Sequence, residues 1–368
     1  MNSLVLIPGK NGVSYARISI QAPPLHGDTN ARFASGLRGT SAALVDVRAT
    51  LAASPWTSPI DVLTIWSMYG GPDFATPVMA SRTNQDKLLR MRSQAPLSVA
   101  RTAGLIAEAR DAFPETPVAL AFETSFFVDL PTRETTYALP GDSGMSPRRW
   151  GYHGLYHEEA TCQLGQTLDT RGRPARLLSI CLDRQPEIAA VLGSAPLLVT
   201  SGSTPVEGLP GECNCGEIDP AIALALAADP ALGPEHANIL LTQESGFAGM
   251  LGHSITLGEV LTSKRARVAK IRDHLLYRIR LAAGSSLAAL EGLDGVVFSG
   301  RYAEHAASVA EHLMPHLERT LDRAPGSLPW VTCMTPLDAI VAEAGFSALL
   351  ANKRPRSGSN DAWAASPS

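Results

Sequence analysis

A chain of 368 residues is long for one hydrophobic core and predicts two domains. Its composition, 45% hydrophobic and 18% charged, is that of an ordinary soluble globular protein, and 31 basic against 35 acidic residues (net −4) leave no electrostatic footprint for nucleic acid or an anionic membrane. No apolar run approaches the roughly 18 residues of a membrane span, the start lacks the basic segment of a secretory leader, and an odd number of cysteines, 5 in all, reads as free thiols in a reducing cytoplasm.

In chain order, Leu4 to Pro8 is an apolar strand and Val13 to Gln21 alternates as a second. Between them Gly9-Lys10-Asn11-Gly12 carries the Asn-Gly signal of a hairpin turn. The turn does not match the GxxxxGK[ST] phosphate loop. Pro23 to Gly39 reads as loop, and Gly39 to Leu51 has no decisive period. Ile60 to Met68 is a buried strand running into Gly70-Gly71-Pro72. Ala100 to Ala112 has helical spacing. Pro117 to Phe122 is an apolar strand with Glu123 directly after it.

The second half opens with Arg148 to His157, RRWGYHGLYH. His153 and His157, four apart, invite a metal reading, but no HExxH glutamate lies between them and Gly154 weakens a helix there. Leu177 to Leu182 and Ile188 to Val199 are predicted strands, and Leu240 to Gly258 a glycine-rich turn region. Ile271 to Leu290 is a long amphipathic helix, Leu293 to Phe298 a buried strand, and Ala306 to Leu321 a helix. Trp330 to Met334 is the last strand and Leu337 to Leu350 the last helix. The Ser-, Pro- and Asn-rich segment 353–368 is expected to be a disordered tail. The alternation predicts an α/β fold with a mixed sheet in each half. The boundary falls in the turn-rich segment Pro140 to Pro147.

The most informative stretch is Thr204 to Ala221, TPVEGLPGECNCGEIDPA. Its prolines and glycines forbid a regular element, and Asp219-Pro220 reads as an N-cap with proline at the first helical position. A polar loop emptying onto a helix start is either an anion site or a tight connector. Cys213-Asn214-Cys215 sits at its centre. Glu212, Cys213, Cys215 and Glu217 are a weak candidate metal set, and a thiolate there is a second option. Cys162, Cys181 and Cys333 read as buried small hydrophobes, and His26, His236 and His316 as ordinary histidines.

Several of these stretches together resemble the acetate kinase family of short-chain carboxylate kinases. RRWGYHGLYH resembles the family's RRYGFHGTSH, and TPVEGLPGECNCGEIDPAI at 204–222 resembles TPLEGLxMGTRSGDIDPAI. Tyr-Ala-Leu-Pro at 137–140 and Gly-Leu-Asp-Gly-Val-Val-Phe at 292–298 resemble two further family segments, and the similarity spans roughly residues 3 to 350. The resemblance implies two actin-like (ribonuclease H-like) domains, 1–146 and 147–336, the first completed by the helix at 337–352. It also implies a cleft between them, a homodimer, ATP and Mg²⁺ as cofactors, and a short-chain carboxylate or acyl phosphate as substrate.

Carried over residue by residue, the family's catalytic aspartate becomes Glu123 and its histidine is kept as His153. Its second arginine becomes Asn214. The substrate arginine becomes Trp66, with Tyr69 also placed at the substrate. The lysine of the first hairpin falls at Ser14, its asparagine at Ile7, and Lys10 is out of register. The phosphate loop HLGNG becomes Cys-Leu-Asp-Arg-Gln at 181–185, which places Asp183 and Arg184 at the nucleotide. The ribose-contacting segment becomes Thr-Leu-Gly at 256–258. Gly300, Arg301 and Glu304 stand in the adenosine loop, and the late metal-linked glutamate becomes Leu337 beside Asp338. One lost cation is worth on the order of 10³-fold in phosphoryl transfer, so ATP-dependent activity is expected to be weak or absent. Three readings stay open: a kinase with an altered constellation, a non-catalytic scaffold or regulator, and new chemistry in the old cleft.

Overall fold

The computed structural model describes residues 1–9, 12–20, 33–56, 58–140 and 147–353. Lys10, Asn11, His26, most of the expected interdomain segment and the expected tail beyond Lys353 lie outside them.

Strands β1 (Asn2–Gly9) and β2 (Gly12–Ile20) form the expected hairpin, closing on the pair Gly9 and Gly12. β3 (Phe33–Ser41) then pairs antiparallel with β2, and α1 (Leu44–Ala52) follows it. The loop expected over 23–39 is therefore strand from Phe33 onward. Its residues lack apolar alternation because pairing with β2, rather than burial, holds this edge. Gly39 permits that pairing, since a Cβ there would stand 2.7 Å from the Tyr15 hydroxyl. β4 (Val62–Ser67) runs parallel to β1. β5 (Val78–Met79), α2 (Arg82–Arg90), α3 (Pro96–Ala112), β6 (Val118–Phe122) and the short α4 (Thr132–Thr135) complete this part. The sheet order is β3-β2-β1-β4-β6-β5.

The second half begins with α5 (Gly154–Thr167), then β7 (Arg176–Cys181), β8 (Glu187–Leu192) and β9 (Ala195–Val199). The single strand expected over 188–199 is a hairpin, turned at Gly193 with φ +64°. Helix α6 (Pro220–Ala228) starts where Asp219 predicts, the Asp219 carboxylate accepting from Ala221 N at 2.8 Å. The expected turn region 240–258 is mostly helical: α7 (Gly233–Gln243), α8 (Gly246–Leu251) and α9 (Leu257–Thr262). Its glycines punctuate rather than unwind, with Gly246 (φ +62°) opening α8 and Gly252 (φ +86°) capping it. Then come α10 (Ala266–Leu290), β10 (Gly295–Ser299), α11 (Ala306–Thr320), β11 (Trp330–Thr332) and α12 (Leu337–Lys353). The second sheet is ordered β11-β10-β7-β8-β9.

Each sheet holds an antiparallel meander of three strands (β1-β2-β3, β7-β8-β9) continued by two parallel strands (β4 and β6, β10 and β11). This repeated topology has no counterpart in the sequence, because topology is carried by apolar pattern and not by residue identity. Helix α12 returns to the first sheet, so close that a Cβ on Gly345 would stand 1.8 Å from Thr64 Oγ1. Between the sheets, one apolar cluster joins Val5 and Ile18 to Leu155 and Tyr156 of α5, Cys181 of β7, and Val341 and Phe346 of α12. The region between the sheets is thus packed at its base, and a cleft opens above it.

Candidate active site

The parallel strands β4 and β6 end side by side, and their C-terminal ends carry Trp66 and Glu123. The crevice beyond such strand ends is where α/β sheets place ligands. Glu123 is buried. Its Oε1 accepts from Trp66 Nε1 at 2.6 Å and its Oε2 from Leu155 N at 3.1 Å. Gly154 N also donates to the Glu123 carbonyl at 3.1 Å, and a Cβ on Gly154 would lie 2.0 Å from that oxygen. The glycine that weakens α5 as a helix is thus what lets its first turn seat on Glu123. Burial pushes the Glu123 carboxyl up to about 7, against the opposing pull of His153, the Trp66 bond and the Leu155 N–H.

His153 immediately precedes α5. Its Nε2 is 3.1 Å from the Gln185 carbonyl, and its N–H donates to Glu187 Oε1 at 3.0 Å. Glu187 is fully buried and also accepts from Tyr152 N at 2.9 Å. His157, one turn into α5, points the other way. Its Nδ1 is 2.7 Å from Ser179 Oγ and its Nε2 is 3.3 Å from Glu187. Glu187 thus receives the backbone N–H of His153 and faces the imidazole of His157. Burial works against charge on His153, but Glu187, Asp183 and Glu123 outweigh it and raise its pKa. Burial likewise opposes charge on Glu187, yet His157, His153 and the Ser201 hydroxyl hold it down at about 2. Nothing in the sequence marks Glu187 as special, since it reads as an ordinary charged residue at a strand start.

Across the cleft lies the loop after β7. Asp183 Oδ1 is 3.5 Å from Arg301 Nε, and Arg184 projects into solvent with Nε 3.8 Å from Glu212 Oε2. Glu212 ties three segments together, because its Oε1 also accepts from Tyr302 Oη at 2.6 Å and Leu257 N at 3.0 Å. The 204–221 stretch folds over this loop: Glu212 N donates to the Arg184 carbonyl at 2.7 Å. Asn214 is only 7% exposed, and its buried Nδ2 has no hydrogen-bond partner among the described residues.

One cleft of about 840 Å³ collects Ser14, Trp66, Glu123, His153, Asp183, Arg184, Asn214 and Arg301. Four expected site residues stand outside its lining, and each has a reason. Tyr69 is buried, its hydroxyl donating to Gln94 at 2.8 Å and its ring edge-on to Trp150. Gly300 (φ +95°) serves close backbone approach, since a Cβ would lie 2.6 Å from the Leu182 carbonyl. Glu304 is exposed beside His305 at 3.6 Å. Asp338, the expected metal residue, is held by Arg38 through two bonds of 2.6 and 3.0 Å. The segment 256–258 caps α9, with Thr256 and Glu259 in a reciprocal capping box.

The cysteine-rich centre is also accounted for. Glu217 pairs with Arg278, Cys213 Sγ faces the Thr242 carbonyl at 3.8 Å, and Cys215 Sγ the Gly216 carbonyl. Among the described residues no group of three His, Cys, Asp or Glu side chains is arranged to hold a metal. Burial, and for Cys213 the adjacent Glu212, raise both thiols, which opposes a reactive thiolate. Residues not anticipated from sequence complete the wall: Asn238, Thr242 and Gln243 of α7. Thr242 and Gln243 were hidden because 240–258 reads as turn, and Asn238 lies just before that segment. No described helix is long and apolar enough to cross a membrane.

Comparison with known proteins places this geometry. The model of the acetokinase family matches residues 37–321. The acetate kinase of Rhodopseudomonas palustris (strain ATCC BAA-98 / CGA009) is 30% identical over 245 residues, 66% of this chain and 60% of that protein. The matched stretch therefore spans less than two thirds of that relative. Among solved structures, a propionate kinase from Francisella tularensis subsp. tularensis SCHU S4 superposes with a TM-score of 0.78 at 19% identity. It covers 93% of this chain and 98% of that one. The acetate kinase of Porphyromonas gingivalis gives 0.76 at 22% identity, covering 95% and 99%. The two mixed sheets are thus an actin-like pair, and the chain belongs to the acetokinase family.

Proposed function

We propose that this acetokinase-family member keeps the family's cleft for a small ligand but transfers phosphoryl groups between ATP and a short-chain carboxylate weakly or not at all. It acts instead as a binding protein, scaffold or regulator. The named relatives are acetate and propionate kinases, and phosphoryl transfer depends on fixed positive charge at the reacting centre. The observation that carries the reading is that each arginine lining the cleft lies beside a carboxylate, Arg301 Nε 3.5 Å from Asp183 and Arg184 Nε 3.8 Å from Glu212, where the two charges offset each other. Asn214 and Trp66 supply hydrogen bonds but no charge. The residues also fit the family's cofactors poorly. Asp183 would repel nucleotide phosphates, and the carboxylates of Glu123 and Asp338 are engaged by Trp66 and Arg38 rather than open to Mg²⁺. We read residues 1–146 with α12 as one domain, 147–336 as the other, and the unpaired cysteines as those of a cytoplasmic protein.

A hydroxamate assay with purified protein, ATP, Mg²⁺ and a panel of short carboxylates should give turnover at or below about one-thousandth of an active family kinase. Robust turnover would sink the reading. Calorimetry should show ATP binding weak or absent.

We also infer a homodimer through α6 and α10. Helix α6 is almost wholly apolar yet buries no residue, with Leu224 70% exposed. Glu217, two residues before the Asp219 cap of α6, pairs with Arg278 of α10, whose neighbours Tyr277 and Leu281 are also exposed. A water-facing apolar surface of this kind marks an association site. Light scattering should find a dimer that Leu224→Glu converts to monomer; a monomeric wild type refutes the interface.

A further inference from the structure

We propose that the adjacent arginines Arg148 and Arg149, with Glu207 and Tyr137 as the catch, form a two-sided fastener that holds the cleft at one width. Arg148 grips the first wall and Arg149 the second. The inference stands whether or not ATP is turned over.

The two side chains part because the chain is extended there. Arg148 bridges antiparallel to Thr136, and successive side chains of an extended segment point to opposite sides. Arg148 Nη2 donates to the carbonyls of Phe127 at 2.9 Å and Val128 at 2.6 Å, in the turn that follows Glu123. Its guanidinium also lies 4.1 Å from the ring centroid of Trp150, a cation–π contact. Arg149 turns instead to the loop after β9. Its Nη1 donates to the Ser201 carbonyl at 2.9 Å and its Nη2 to Glu207 Oε1 at 2.7 Å. The other Glu207 oxygen accepts from Tyr137 Oη at 2.5 Å, and Tyr137 Oη accepts from Ser203 N at 2.8 Å. Tyr137 belongs to the first half of the chain, so the catch spans both halves. Beside it, Trp150 N donates to the Gly202 carbonyl at 3.0 Å and Tyr152 Oη to the Ser203 carbonyl at 2.6 Å. Glu207 folds back so closely over Gly202 that a Cβ there would stand 1.8 Å from its Oε2. The gripped loop is part of the second wall, since Ser201, Pro205 and Val206 line the cleft. Hydrogen bonds that involve a charged group, as these arginines make, are the strong ones. Neither arginine is in the lining itself, so both act as positioning residues, through the walls they hold.

The test uses the full chain with Cys162 and Cys215 replaced by serine. Spin labels go on the exposed Cys213 and on Leu97→Cys, which stand on opposite walls of the cleft. Pulsed double electron resonance reads the distance between them, and the parent should give a single narrow distribution. Arg148→Met, Arg149→Met, Glu207→Ala and the milder Tyr137→Phe should each broaden it or move its mean by more than about 2 Å, the scale of a loop or domain rearrangement. Amide exchange across 199–209 should quicken about tenfold in Arg149→Met and Glu207→Ala, the worth of one hydrogen bond to a charged group. Glu207→Gln keeps an acceptor for Arg149 and a partner for Tyr137, and should retain the parent distance. Arg173→Met breaks the 2.6 Å pair with Asp294, outside the cleft lining, and should leave the distance unchanged. An unchanged distribution in either arginine variant overturns the proposal; Tyr137→Phe decides in the same way if an arginine variant does not fold. A shift of equal size in Arg173→Met also overturns it, since the cleft would then be reporting general loosening.

Discussion

Replacing Glu187 by alanine should destabilise the protein by about 3–5 kcal/mol, the cost of breaking a buried ionic group by removing one partner. Glu187 sits at the start of β8 with no exposed surface. It receives the N–H groups of Tyr152 and His153 and lies 3.3 Å from His157 Nε2. Alanine would leave two backbone donors unmatched and both histidines without their counter-charge. Glu187→Gln should cost less, since one amide oxygen still accepts from the 152–153 backbone. The denaturation midpoint of each variant measures this. An alanine variant within about 1 kcal/mol of wild type would show that the cluster is not what seats His153. The pH sign follows from the low carboxyl value of about 2. The stabilisation is fully present above the ordinary glutamate range and is lost as pH falls through that range toward 2.

Glu187 also shows where reading from sequence ends. The strands at 4–8, 62–67, 118–122 and 295–299 were legible because each is a short apolar run bounded by turn residues. The start of α6 was legible because Asp-Pro is a helix start by steric and hydrogen-bonding necessity. β3 was not, because an edge strand held by pairing need not alternate. Nor were α7 to α9, because glycines that end helices look the same in sequence as glycines that prevent them. The charged α2, capped by Ser81, has too few buried residues to announce itself.

The site divides in the same way. Motif matching brought eight candidate residues to one cleft, because family motifs preserve backbone path even where side chains change. Tyr69, Glu304 and Asp338 stand outside the lining of that cleft, and their neighbours in the fold decide their partners: Gln94, His305 and Arg38. It was silent about what the substituted side chains do to each other. That Arg184 leans to Glu212, Arg301 to Asp183 and Trp66 to Glu123 follows only from three dimensions. Those pairings turn a set of substitutions into a physical statement about charge.

Glu123 gives that statement a measurable pH dependence. Its carboxyl is raised by burial from an ordinary 4.5 to about 7. The folded protein therefore binds more protons than the unfolded chain between those values, and stability should fall as pH rises through them. From pH 5.5 to pH 8 the expected loss from this group is roughly 2 kcal/mol. His153, also raised, adds in the same direction. His157, lowered by burial, works oppositely, and only at acidic pH. In Glu123→Gln the charge is gone, and the decline over this window should flatten to the part His153 contributes. The glutamine has one acceptor for two donors, Trp66 Nε1 and Leu155 N, so its whole curve should also sit lower. The slope and not the offset is the test. Unfolding free energies at pH 5.5, 6.5, 7.5 and 8 decide it. Parallel curves for wild type and variant would mean that Glu123 titrates as an ordinary carboxylate and that the cleft floor is already charged at pH 6. The same charge governs anions in the cleft, so carboxylate affinity should weaken over the interval in which wild-type stability declines, and less so in the variant. A single buried proton would then set both the stability of the fold and the kind of ligand its cleft admits.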